Sequence, residues 1–144
     1  MKQQSVTLER VYDAPVEKVW KALTDVKEMK QWYFDLKEFK AEPGFKFSFY
    51  GGTEEKQYLH LCEVKEAIAN KKLSYSWRYE NEPGDTLVSF ELFPEGSKTR
   101  LKLTHTGFET FTSGNPDLAM GNFHEGWTSI LDESLKKYVE PGSA

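Results

Sequence analysis

The sequence predicts an α+β fold: a curved antiparallel sheet of six to seven strands wrapped around one long C-terminal helix, with two short helices between strands 1 and 2. Three observations predict it. Residues 115–140 repeat apolar side chains at helical spacing, residues 45–105 repeat period-two alternation broken by tight turns, and residues 13–33 hold two short helical patterns. Strands joined by hairpin turns imply an antiparallel sheet. Helices gathered at the two ends of that run imply a helical layer on one side of it.

Residues 5–12 alternate, with Val6 and Leu8 set against Thr7 and Glu9, and read as the first strand. Asp13-Ala14-Pro15 opens a helix in which Val16, Val19, Trp20 and Leu23 stand at i, i+3, i+4 and i+7. Thr24-Asp25 breaks it. Asp25 with Glu28 resembles a capping box for a second short helix carrying Val26, Met29, Trp32 and Tyr33. Residues 36–41 read as a short strand, ended by Pro43-Gly44.

Phe45, Phe47 and Phe49 alternate with Lys46, Ser48 and Tyr50, the sharpest period-two signal in the chain. Gly51-Gly52 turns that strand. Residues 57–67 form a longer one, with Tyr58, His60, Cys62 and Val64 on one face and Leu59, Leu61 and Glu63 on the other. Turns at Ala69-Asn70, residues 81–85 and residues 94–97 separate three more strands. Their apolar faces are Leu73, Tyr75, Trp77 and Tyr79; then Val88, Phe90 and Leu92; then Leu101, Leu103 and His105. Residues 107–114, with Phe108 and Phe111, form a candidate movable lid.

The long helix follows. Asn115 can cap it, Pro116 suits its first position and Asp117 complements its dipole. Ala119, Phe123, Trp127, Ile130, Leu131, Ser134, Leu135 and Tyr138 make one stripe, and Pro141-Gly142 stops it. At ~1.5 Å per residue it is roughly 35–40 Å long, enough to cross a small domain.

The 144 residues fit one domain, covering residues 1–144. With 38% hydrophobic and 29% charged residues, the composition is that of a soluble globular chain. A net charge of −4 argues against nucleic acid and against anionic membrane surfaces. The basic residues Lys27, Lys30, Lys37 and Lys40 interleave with Glu28, Asp35 and Glu38 and read as a solvated face. No apolar run approaches the ~20 residues of a membrane span. One cysteine excludes an internal disulfide, and the polar start shows no signal peptide. The expectation is a cytoplasmic monomer or weak dimer.

The aromatic share, 15%, decides the functional reading. A dry core favours Leu, Ile and Val in interlocking rotamers. Here Tyr58, Tyr75, Trp77 and Tyr79 carry polar tips that need partners when buried. A wide, partly polar interior fits a ligand cavity better than a filled core. The candidate lining is Trp32, Phe47, Phe49, His60, Cys62, Tyr75, Trp77, Phe90, Leu92, His105, Phe123, Trp127, Ile130 and Ser134. His60, Tyr75, His105 and Ser134 would orient the ligand.

No catalytic residue, metal site or cofactor is assigned. His124-Glu125 does not begin a zincin helix, because position 128 is Thr. Cys62 has apolar company and reads as a core thiol rather than a nucleophile. Glu63 and Glu91 alternate away from the His and Phe rows. Nucleophile-elbow, phosphate-loop and dinucleotide fingerprints are absent.

The order of elements, with the motifs at residues 10–23, Gln31-Trp32-Tyr33, residues 73–77, residues 104–108 and His124-Glu125-Gly126-Trp127, resembles the helix-grip superfamily. That superfamily includes START lipid-transfer domains, birch-pollen-type allergens and polyketide aromatase/cyclases. Within it the chain looks like the bacterial branch related to the C-terminal domain of the activator of the 90-kDa heat-shock chaperone ATPase. The resemblance spans roughly residues 5–140. It implies a deep cavity between sheet and helix, holding an apolar or aromatic ligand, and supplies no shared reaction. Two other functions stay open: a cyclase- or hydrolase-like enzyme using His105 or His60 in the same cavity, and a chaperone-activator-like interaction module.

Overall fold

The computed structural model describes residues 5–32, 38–52, 57–80, 82–111 and 120–140. Strand β1 (Ser5–Tyr12) leads into helices α1 (Val16–Thr24) and α2 (Val26–Trp32). Five strands follow: β2 (Lys46–Gly52), β3 (Gln57–Ile68), β4 (Lys72–Tyr79), β5 (Thr86–Glu95) and β6 (Lys98–Thr106). A single 3₁₀ turn (Phe108–Thr110) precedes the C-terminal helix. That helix is α3 (Met120–Ser129), a π-helical segment (Ile130–Leu135) and α4 (Lys136–Val139).

The strands form one curved antiparallel sheet in the order β1-β6-β5-β4-β3-β2. Consecutive strands β2 to β6 are neighbours, whereas β1 lies at the opposite edge from β2. The chain must therefore cross the sheet between them. The α1–α2 pair makes that crossing and packs on the same face as the C-terminal helix, α1 against β5 and β6 and α2 against the π segment.

Asp25 caps α2, accepting the Lys27 N–H at 2.8 Å. Glu28 does not complete a capping box. It pairs with Lys21 at 3.4 Å and accepts the Tyr138 hydroxyl at 3.1 Å, which ties α2 to the C-terminal helix.

The alternation of the strands holds. Phe47, Phe49, His60, Cys62, Val64, Leu73, Tyr75, Trp77, Tyr79, Val88, Phe90, Leu92, Leu101, Leu103 and His105 are all buried. A strand was expected at residues 36–41; its described part, 38–41, is irregular. Phe39 is buried all the same, edge-on to Phe47 with centroids 5.1 Å apart. It closes the β2 end of the interior by ring packing, without a backbone ladder. Tyr33, Phe34 and the expected start of the long helix at Asn115, with Ala119, lie outside the described residues.

The C-terminal helix buries Phe123, Trp127, Leu131, Leu135 and Val139, a strict four-residue repeat. Around an α-helix of 3.6 residues per turn, that repeat drifts by about 40° per step. The wider π turn rotates the other way and returns Leu135 and Val139 to the face of Trp127. It also carries Ser134, two α-turns beyond Trp127, out of the stripe and onto the surface.

Three polar ties fix this helix to β1 and to the residue that follows it. Arg10 forms a fork with Asp132, at 2.5 and 3.3 Å. The buried Tyr12 hydroxyl donates to the Leu131 carbonyl at 2.9 Å. The Asp13 N–H donates to Glu140 at 3.0 Å.

Candidate functional site

The interior between sheet and helix is an assembly of rings centred on Trp77. The rings of Phe49, His60, Tyr79, His105, Phe123 and Trp127 lie 4.9–6.5 Å from it, mostly edge-to-face. Phe47 and Phe49 stack along β2, Phe47 meets Tyr75 edge-on at 5.1 Å, and Phe90 meets Trp127 edge-on at 5.9 Å. Strands β2 to β6 supply one wall by alternation, and α3 supplies the other.

The polar tips inside are paired. The Trp127 Nε1–H donates to His105 Nδ1 at 3.0 Å. An indole nitrogen only donates, so Nδ1 must accept and the His105 proton sits on Nε2. Nε2–H then donates to the Thr86 hydroxyl at 2.7 Å, which donates to the Trp77 carbonyl at 2.6 Å. Every donor in this chain finds an acceptor only while His105 is neutral. Burial enforces the same state, lowering its pKa to about 3.

His60 stacks on Phe49 at 4.5 Å, and its Nδ1–H donates to the Tyr58 carbonyl at 2.9 Å. Burial lowers its pKa to about 4, against the opposing effect of backbone hydrogen bonds at Tyr58 and Phe49. The Trp77 Nε1–H donates to the Tyr79 hydroxyl at 2.8 Å. Burial pushes the Tyr79 and Cys62 pKa values up, so both keep their protons.

One end of the assembly is closed by residues 107–111. Gly107 takes the left-handed conformation, φ 97°, and starts the 3₁₀ turn. Phe108 then sits 4.5 Å from His105 and 4.9 Å from Phe123. Phe111 stacks on Phe123 at 6.1 Å and lies 5.7 Å from Tyr79. The Thr110 hydroxyl accepts the Asp85 N–H at 2.9 Å and lies 3.0 Å from the Asp85 carbonyl, which binds this turn to the β4–β5 connection.

Of the residues expected to line a cavity, Phe47, Phe49, His60, Cys62, Tyr75, Trp77, Phe90, Leu92, His105, Phe123 and Trp127 are buried on the facing sides of sheet and helix. Ile130 is half-buried. Ser134 is exposed and does not reach the interior. Trp32 is buried at the end of α2, where its Nε1–H donates to the Ala22 carbonyl at 2.8 Å. Trp32 and Ser134 meet in a separate outer cleft of about 440 Å³ with Gln31, Glu133, Lys137 and Tyr138.

Thr86 was not anticipated. A Thr opening a strand is an ordinary β-former, and its partners come from two other strands. Tyr79 was expected on the inward face of its strand and Phe108 in the candidate lid, but neither was named among the lining residues. Among the described residues no three His, Cys, Asp or Glu side chains gather as metal ligands, and no helix is long and apolar enough to cross a membrane.

The comparisons agree with this architecture. MLL2253 from Mesorhizobium loti is 29% identical over 93% of this chain and 95% of that one, with a TM-score of 0.76. CalU16 from Micromonospora echinospora is 28% identical over 95% of this chain and 76% of that one, TM-score 0.73. DynU16, from the dynemicin biosynthetic locus, shares the fold: TM-score 0.79 at 21% identity, over 98% of this chain and 49% of that one. No curated protein sequence matches. The family described as Activator of Hsp90 ATPase homolog 1-like protein matches residues 13–140, and the chain belongs to it.

Proposed function

We propose that the protein binds a small hydrophobic or aromatic molecule between the sheet and the C-terminal helix, without a cofactor. The observation that carries this reading is the ring assembly around Trp77. Its edge-to-face contacts leave aromatic faces that a planar ligand can take over from Phe108, Phe111 and Phe123. Phe108 lies in the 3₁₀ turn, Phe111 directly follows it and Phe123 lies on α3, so a ligand that displaced these rings would leave the wall of β2 to β6 intact. Burial of ligand surface is worth ~25 cal/mol per Å² before ordering costs.

Binding is tested by NMR with a panel of sterols, fatty acids, flavonoid-like aromatics and polyketides. The expected result is saturable shifts at the Trp77 and Trp127 indoles and at the Phe108–Thr110 amides. If no compound moved the indole signals, the rings would be packed core and the reading would fail.

The enzyme alternative finds less support. A general base works best with a pKa near the operating pH, and both interior histidines lie well below it with their Nδ1 atoms engaged. The family match favours a second reading, a chaperone-directed interaction module. It predicts a change in the ATPase rate of a 90-kDa heat-shock chaperone, and no effect at saturating protein removes it.

A further inference from the structure

On the outer face of the sheet, behind the ring assembly, β3 and β4 part. His60 faces Tyr79, Leu61 faces Arg78 and Val64 faces Tyr75, but Cys62 and Glu63 form no ladder pairs with Trp77 and Ser76. The Glu63 N–H donates to the Ser76 hydroxyl at 3.0 Å instead. A cleft of about 350 Å³ opens there, lined by residues of β2, β3 and β4 and by Asp85. At about 30 Å³ per water, it has room for a molecule the size of an amino acid.

The charges of this cleft are only partly matched to one another. Glu63 pairs with Lys65 at 3.5 Å. Lys46, Arg78 and Asp85 line the same cleft, yet none of the three forms an ion pair among the described residues. Arg78 and Asp85 thus line one cleft without an ion pair between them. The backbone of Asp85 is held in place, because its N–H and carbonyl both meet the Thr110 hydroxyl. A guanidinium presents a planar fork that fits a carboxylate, and a carboxylate accepts from an ammonium or hydroxyl group.

We propose that this cleft binds a small α-amino or α-hydroxy acid, with the ligand carboxylate on Arg78 and Lys46 and its donor group on Asp85. The cleft shares Phe47 and Cys62 with the wall of the interior, but the groups that would hold this ligand, Lys46, Arg78 and Asp85, belong to the cleft and not to the ring assembly.

The test is an NMR titration of the ¹⁵N-labelled protein with L-serine, L-lactate and propionate at fixed ionic strength. Saturable shifts are expected at the Glu63, Ser76 and Arg78 amides, with serine and lactate binding tighter than propionate. The indole signals of Trp77 and Trp127 should stay still, which separates this site from the interior one. Arg78→Gln should weaken binding of all three acids roughly ten- to a hundredfold, the loss of a charge-assisted hydrogen bond. Arg78→Lys keeps the charge without the fork and should fall between. Asp85→Asn should bring serine and lactate down toward propionate. Shifts that grow linearly, that sodium chloride reproduces, or that persist unchanged in Arg78→Gln would overturn the proposal as charge screening only.

Discussion

The Trp127 indole N–H donates to His105 Nδ1 at 3.0 Å, and this bond fixes the tautomer of a fully buried imidazole. It also joins the C-terminal helix to β6 by a polar contact inside an otherwise aromatic interior. Trp127→Phe keeps most of the ring volume and leaves Nδ1 without its donor. An unsatisfied buried polar atom costs about 1–3 kcal/mol, and a loss of that size is expected in urea unfolding. Thr86→Val, which strands the Nε2–H, should cost a similar amount. The two losses should fall short of additive in the double variant, because both act through one histidine. Full additivity would show that the relay does not act as a unit.

A pH dependence follows from the same burial. The folded pKa values are about 4 for His60 and about 3 for His105, against ~6.5 for an unperturbed histidine. Below pH ~6.5 the unfolded chain takes up protons that the folded chain refuses, so unfolding becomes more favourable. Stability should be complete above pH ~6.5 and fall as pH drops from there toward 4. The slope is at most about 1.4 kcal/mol per pH unit for each histidine. Urea midpoints at pH 7.5, 6.0 and 5.0 measure it. His60→Gln should roughly halve the slope, and a flat profile across this range would show that the interior admits the proton.

The β4–β5 connection tests the closure of the ring assembly. Gly84 has φ 120°, and a Cβ there would lie 2.4 Å from Phe111 Cδ1 and 2.7 Å from the Thr110 carbonyl oxygen. Gly84→Ala therefore combines a left-handed backbone with a clash against a residue that covers Phe123 and Tyr79. It should lower the melting temperature and increase solvent access to the interior rings, read as a red shift of tryptophan emission. Unchanged emission together with a lowered melting temperature would place the strain in the turn alone.

The walls of the candidate site were legible in the sequence, and its contents were not. Phe47, Phe49, His60, Trp77 and His105 declared their inward face because a strand alternates with period two whatever its neighbours. Thr86 did not, since its role depends on β4, β5 and β6 lying side by side in register. Phe39 was visible as an apolar residue but fell in an expected strand that is irregular where described. Whether rings at these positions fill the interior or line a space depends on how far α3 stands from the sheet. Loop lengths and packing set that distance, and no periodicity encodes it.

Ser134 is where helical periodicity misled, and it supplies the last prediction. An unbroken α-helix would place Ser134 with Trp127, two turns along. The buried residues instead recur every four positions from Phe123 to Val139, a drift of about 160° over four α-helical steps. The π segment accommodates one extra residue, about 100° of rotation, and so absorbs most of that drift. Deleting Ser134 removes the extra residue. Trp127 and Leu135 then stand seven apart, two α-turns, and Leu131 and Val139 remain on the same face without a π turn. The shortened chain should fold with stability within about 1 kcal/mol of the parent, keep the Tyr12 and Arg10 ties, and show continuous α-helical Cα shifts from residue 120 onward. Inserting Ala after Ser134 pushes Leu135 and Val139 off the buried face and should destabilise the fold severely. A deletion variant that failed to fold would show that the π segment serves something other than the alignment of the buried stripe.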